Sequence, residues 1–271
     1  MPKVKVNGIN MNYEQTGSGE PMVLIPFLTA DNGCYAFQLP EYSKHFTCFS
    51  IDPRGAGETD KPAGPYSTEM MADDVAGFMQ ALGINKAHVV GTSLGAATAL
   101  QFAAKYPDKV KSLSAHSAWT KTDLFILILV NGWKEIAKSK GNVVETAINY
   151  IFPWCLTPGI FAAKPNYIMG LVDFVKSRPA QPVDGFLAQC DAVLSHDCRS
   201  QLGSIKAPTL LTFGKEDMIS SVPTTRFIDD MKSNIRNPEL VVFDGCAHTP
   251  MYEKTEEYNQ KTLEFLKRHA G

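Results

Sequence analysis

Val89-Val90-Gly91-Thr92-Ser93-Leu94-Gly95 is the stretch whose reading decides the fold. Its last five residues fit Gly-x-Ser-x-Gly, the pattern of a nucleophile elbow. A serine on a sharp strand-to-helix turn has a strained backbone, and glycines two before and two after it leave room for the neighbouring chain. The hydroxyl then projects into open space, and helical amides just beyond, starting with Leu94, point at the same spot and can hold an oxyanion. Glycine and serine are common, so the flanks must separate an elbow from a plain glycine-rich turn. Ala87-His88-Val89-Val90 reads as a short buried strand and Leu94 to Tyr106 as a helix, the two sides an elbow needs.

Working outward, strands alternate with helices. Val4-Lys5-Val6 and Ile9 to Glu14 flank Asn7-Gly8, a pair that favours a tight hairpin. Pro21 to Ile25 is a continuous apolar run, as in a strand covered on both faces. Tyr35 to His45 reads as a helix interrupted near Pro40, and Phe46 to Ile51 as a strand running into the glycine-rich Asp52 to Gly57. Ser67 to Leu82 has helical periodicity with a capped start. Val110 to Ala115, Pro208 to Phe213 and Leu240 to Phe243 read as further strands, and Glu256 to His269 as a closing amphipathic helix. The alternation predicts an α/β protein with a mostly parallel, doubly covered sheet.

Between Trp119 and Leu202 the alternation stops, giving helical stretches broken by Pro and Gly. The expectation is a core of residues 1–118 and 203–271 and a helical cap insertion, 119–202, over the strands' C-terminal edge, where open α/β sheets bind ligands. Trp119, Trp133, Phe152, Trp154, Phe161 and Phe174 would line or roof an apolar pocket, or pack the insertion's own core.

At 271 residues the chain suits one large domain with an insertion, and its net charge of −2 offers no basic field for nucleic acid or an anionic membrane. The expected partner is a small molecule, with a homodimer left open. The six cysteines show neither a zinc spacing nor a disulfide framework, so no metal or cofactor is expected. Met1 to Lys5 has no signal-peptide run, and Leu124 to Val130 falls far short of the ~20 residues that span a bilayer, so a cytoplasmic protein is expected.

A serine hydroxyl needs a base within hydrogen-bond reach and a third group to orient that base. Of six histidines, His248 follows the last predicted strand in the small-residue loop Asp244 to Pro250, at the elbow's edge of the sheet. His116 is the rival and is read as pocket-lining; His88 and His269 read as surface residues. For the acid, Asp217 follows the strand ending at Phe213, with Glu216 and Asp123 as alternatives.

Taken together these motifs resemble the α/β-hydrolase fold superfamily from Glu20 to His269. Asp52 to Pro62 is similar to the family's loop after its fourth strand, the elbow matches, and Asp244 to Glu253 resembles its histidine loop. The order Ser93, Asp217, His248 is the one the resemblance implies for a catalytic triad. The insertion is similar to those of 3-oxoadipate enol-lactonases and related small esterases. One departure is Pro26-Phe27, where the family usually carries His-Gly. Leu28 would then supply the second oxyanion amide beside Leu94, although Phe27 enters the glycine-only backbone region poorly and Pro26 has no donor.

Serine rather than aspartate at position 93 speaks against dehalogenase and epoxide hydrolase chemistry. The expected activity is a carboxylesterase or lactonase acting on small or medium substrates, with Phe27, Trp119, Trp154 and His116 contributing to the pocket. A carbon-carbon bond hydrolase acting on a diketone is the alternative enzyme, with Arg54 and His116 as candidate polar groups. A non-catalytic ligand-binding protein on the same fold is the third reading.

Overall fold

In the computed structural model, which describes residues 2–220 and 226–271, eight strands form one sheet in the order β1-β2-β4-β3-β5-β6-β7-β8. They are β1 (Lys3–Val6), β2 (Ile9–Thr16), β3 (Glu20–Ile25), β4 (Phe46–Ile51), β5 (Ala87–Thr92), β6 (Val110–His116), β7 (Thr209–Gly214) and β8 (Glu239–Phe243). β1 and β2 pair antiparallel, as do β2 and β4, and every later pairing is parallel. The first hairpin turns where expected, with Asn7 at φ 42° and Gly8 at φ 80°. Two positive φ values in succession match the right-handed twist of the strands.

The longer helices are α1 (Thr68–Ala81), α2 (Leu94–Lys105), α3 (Leu124–Lys140), α4 (Pro165–Ser177), α5 (Val183–Leu194), α6 (Arg226–Asn234) and α7 (Thr255–Arg268). α1 opens on Ser67, whose side chain accepts from the Met70 amide at 3.1 Å. The helix expected over Tyr35 to His45 is instead a 3-10 turn at Asn32–Tyr35 and one helical turn at Leu39–Tyr42. Pro40 accounts for the break, because proline lacks an amide donor and starts helical turns better than it continues them.

Strand residues alternate between two cores. Val23, Ile25, Val89 and Leu211 pack with α1 and α2 on one face. Met22, Leu24, Val90 and Leu210 pack with Tyr258, Phe265 and Leu266 of α7 on the other. Cover on both faces explains why the middle strands read as unbroken apolar runs. His88, expected at the surface, is fully buried within β5 between Ser112 Oγ at 2.7 Å and Glu20 Oε2 at 3.0 Å. The strand starts one residue before it, so its side chain enters the sheet's packing.

Residues 119–202 add no strand to the sheet; α3, α4 and α5 arch over its C-terminal edge. The two ends of this segment run side by side, with Thr122 N donating to His196 O at 3.0 Å and Cys198 N to Thr120 O at 2.9 Å.

The elbow rests directly on β3. A Cβ on Gly95 would lie 2.0 Å from Ile25 O and 2.6 Å from Pro26 O, so α2 starts in backbone contact with the end of that strand. Gly132, on the exposed face of α3, has open space around its Cβ position. Gly95→Ala is therefore expected to cost about 1–3 kcal/mol by overpacking, whereas Gly132→Ala should raise stability by up to about 1 kcal/mol through helix propensity. Urea midpoints of the two variants against the parent check both signs.

Candidate active site

β5 delivers Ser93 in a conformation that side chains rarely adopt, φ 53° and ψ −117°. A Cβ on Gly91 would meet Gly95 O at 2.2 Å, so the glycines before and after the serine are both there to let the chain fold back on itself. Ser93 N still donates to His116 O at 2.8 Å, which carries the β5–β6 ladder through the turn. The strained residue is thus gripped on both sides, as sites that store backbone strain require.

The acid and the histidine arrive from neighbouring parallel strands. β7 ends three residues before Asp217, and the loop after β8 carries His248. A Cβ on Gly214 would sit 1.9 Å from Ala247 O, so only glycine lets these two loops approach this closely. Glu216 N donates to Cys246 O at 2.9 Å and fixes their register. The result is a three-residue relay: His248 Nε2 is 2.8 Å from Ser93 Oγ and His248 Nδ1 is 2.9 Å from Asp217 Oδ2. A carboxylate only accepts, so Nδ1 carries the proton and Nε2 is free to accept from the serine hydroxyl. The alternatives for the acid fall away, since Glu216 is exposed and Asp123 caps α3 through the Ile126 amide at 2.8 Å.

Several supporting groups escaped the sequence reading. Asp217, fully buried, accepts from the amides of Ile219 at 2.9 Å and Ser220 at 3.1 Å and from the Ser220 hydroxyl. Ser117, at φ 52°, donates its hydroxyl to the His248 carbonyl at 2.7 Å. Glu253 accepts from Ala247 N at 2.6 Å with one oxygen and from Thr157 N at 2.7 Å and Thr157 Oγ1 at 2.6 Å with the other, tying the histidine loop to the arching segment. A charged residue five positions past His248, at the end of a short helical turn that is otherwise mostly apolar, was the one local signal for Glu253. Ser117 had none, because its partner lies 131 residues away.

Leu94 is the first residue of α2, and Leu28 sits in the loop pressed against Gly95. Among the described residues neither amide donates to another group. The positive φ of this loop falls on Thr29, at 72°, rather than on Phe27, and Ala30 N donates to Phe27 O at 3.1 Å to close the turn. Pro26-Phe27 thus departs from the family's sequence without forcing Phe27 into the glycine-only region. Asp52 holds the far end of the loop by accepting from Asn32 N at 2.7 Å.

Ser93 and His248 open into a cavity of about 120 Å³ whose wall includes Phe27, Leu28, Trp119, Trp133, Phe152 and Phe174. Four residues offered as pocket candidates are elsewhere. Trp154 is 40% exposed on the outside of the arching segment, against Phe125, because the single turn Phe152–Cys155 directs Phe152 and Cys155 inward instead. His116 points to the other face of the sheet, edge-to-face with Tyr258 and with its Nδ1 2.6 Å from Thr212 Oγ1. Side chains alternate along a strand, and the position after a strand's last apolar residue does not say which face it takes. Phe161 packs with Ile160 and Leu171 in a separate small cluster. Arg54 is held away from the cavity by Asp74 at 2.5 and 2.6 Å. Among the described residues no His, Cys, Asp and Glu cluster could hold a metal ion, and no helix is long and apolar enough to cross a membrane.

Sheet, elbow, histidine loop and arching helices together define an α/β hydrolase. The model of the alpha/beta hydrolase fold family matches residues 20–255, and the chain belongs to that family. It is 26% identical to a 2-hydroxy-6-oxo-6-phenylhexa-2,4-dienoate hydrolase of Comamonas testosteroni, over 95% of this chain and 91% of that one. A thermophilic esterase from Thermogutta terrifontis superposes with a TM-score of 0.86 at 26% identity, with both chains covered completely. The enol-lactonase of Burkholderia xenovorans LB400 shares the fold, with a TM-score of 0.88 at 23% identity over 98% of this chain and all of that one.

Two buried histidines flank this architecture. Burial pushes the His116 imidazole down to about 3. It pushes His196, bonded to Thr68 Oγ1 and Trp119 O, down to about 4, against the opposing effect of the Trp119 carbonyl. Unfolded imidazoles titrate near ~6.5, so below that pH the unfolded chain takes up protons that the folded chain refuses. Stability is therefore complete above about pH 6.5 and should fall with acidification by about 1.4 kcal/mol per pH unit per histidine until the folded values are reached. Urea midpoints at pH 7.5, 6 and 5 check this, and a flat profile would refute it.

Proposed function

We propose that this protein is a serine hydrolase that cleaves small or medium, largely apolar carboxylic esters or lactones through an acyl-enzyme on Ser93. The observation that carries the reading is the relay itself. His248 Nε2 stands 2.8 Å from Ser93 Oγ, and Nδ1 is held at 2.9 Å by a fully buried Asp217, in the wall of a mostly apolar cavity. In this mechanism Ser93 Oγ attacks the ester carbonyl as its proton passes to Nε2. The amides of Leu94 and Leu28 receive the oxyanion, each such donor contributing about 2.7–4 kcal/mol to the transition state. The Nε2 proton then goes to the leaving alkoxide, which in a lactone stays attached at the far end of the acyl group. Water, deprotonated by the same nitrogen, releases the acid and regenerates Ser93. Asp217 keeps the imidazole in the tautomer that these transfers need.

In this reading residues 119–202 act as the cap domain over the core formed by 1–118 and 203–271, and Phe27 and Trp119 shape the substrate site. A second reading, hydrolysis of a carbon-carbon bond in a diketone, is favoured by the similarity to the Comamonas enzyme. It would use the same three residues. Product analysis separates the two, since ester cleavage yields an acid and an alcohol whereas diketone cleavage yields an acid and a ketone.

The test is labelling with a serine-directed phosphonate followed by peptide mass analysis, alongside turnover of short p-nitrophenyl esters. Label is expected on Ser93 alone. Turnover should fall about 10⁴-fold or more in Ser93→Ala and His248→Ala, and about 10⁴-fold in Asp217→Asn. A folded parent that neither labels nor turns over any ester would sink the reading in favour of a ligand-binding protein.

A further inference from the structure

Among the described residues that line the cavity holding Ser93, the lysine, arginine and carboxylate side chains form one ion pair. Among the described lining residues, Arg178 is the lone lysine or arginine and Asp31 the lone carboxylate. Arg178 follows α4 in the arching segment, and Asp31 lies in the loop after β3 that carries Leu28. Arg178 Nε lies 3.0 Å from both oxygens of Asp31, and Nη2 donates to Asn32 Oδ1 at 3.0 Å. Asp31 is 7% exposed and the Arg178 side chain 28%. Gly33 makes the space: a Cβ there would come within 2.9 Å of the guanidinium carbon.

Resting on the ester or lactone reading above, we propose that Asp31 masks Arg178, so that the site selects substrates whose non-reacting end is uncharged and carries a hydrogen-bond acceptor such as a carbonyl, amide or hydroxyl oxygen. The selection follows from Coulomb's law at short range. A free guanidinium in an apolar wall attracts a carboxylate strongly, because little water screens the pair. With Asp31 at 3.0 Å the cation is neutralised within the pair. An incoming carboxylate would then lose its hydration, meet the repulsion of Asp31 and gain no uncompensated cation in return. An uncharged oxygen suffers none of these losses. Nη1, which has no protein partner among the described residues, remains able to donate to it.

The test compares two p-nitrophenyl esters of matched size, the mono-ester of glutaric acid and the corresponding ester of its monoamide, in the parent, Asp31→Asn and Asp31→Asn/Arg178→Gln. Asparagine is isosteric with aspartate and keeps an acceptor for the Gly33 amide, which Asp31 caps at 2.9 Å. The parent should favour the amide at least tenfold in kcat/KM. Asp31→Asn should shift that ratio at least tenfold toward the acid, and the double variant should restore the parental preference. Quenching of Trp119 and Trp133 fluorescence by pentanoate and pentanamide reads the same discrimination without turnover. Turnover with a ratio unchanged in Asp31→Asn, or a parent that prefers the acid, overturns the masking role and leaves the hydrolase reading intact. Absent turnover with a binding preference that still shifts in Asp31→Asn removes the hydrolase reading and retains the masking.

Discussion

The backbone contact between the start of α2 and the end of β3 is the constraint on which the rest of the site depends. Gly95 lies so close to the carbonyls of Ile25 and Pro26 that no side chain fits between them. That contact holds Ser93 at a positive φ, directs its hydroxyl out of the sheet, and sets the loop of Leu28 beside the first amides of α2. The strain at Ser93 is tolerable because parallel strands grip the turn on both sides and α2 is packed into a core that does not yield.

The second half of the site is assembled by an equivalent approach at Gly214, where the loops after β7 and β8 touch through backbone. Asp217 and His248 are 31 residues apart in sequence, yet the parallel pairing of two adjacent strands brings them to one edge, and the relay to Ser93 closes across 155 residues. Around it the arching helices share an apolar core with the sheet, including Trp119, Ile126, Phe186 and Val193, and are stitched to it by polar bonds as well: Glu253 to Thr157, Thr249 to Cys155, Arg178 to Asp31, and Gln181 to Gly55. These bonds sit next to the cavity, so the same contacts that fix the cap also decide its shape and charge.

Much of this was legible in the chain. Unbroken apolar runs such as Pro21 to Ile25 reported strands buried on both faces, because in a parallel sheet neither face meets water. Asn7-Gly8 reported its turn through the positive φ both residues accept, and Gly91 and Gly95 reported the elbow through the contact they permit. What misled was direction rather than identity. His88 and His116 lie on the strands where they were expected or beside them, but the side chains enter the sheet's interior and its opposite face. Trp154 belongs to the expected segment yet points outward.

The sequence by itself determined the α/β class, the succession of strands and helices along the chain, the elbow serine and a short set of acids and histidines as its candidate partners. Periodicity, turn chemistry and glycine spacing are local, and each follows from the sterics of a few consecutive residues. Tertiary structure alone decided which face each border residue takes, that Thr29 rather than Phe27 carries the positive φ, and that Ser117, Ser220 and Glu253 brace the relay. It also decided that Arg178 lines the pocket as a cation, already paired with Asp31 across 147 residues of chain. Such pairings depend on how separate elements pack, and no short window of sequence contains both partners.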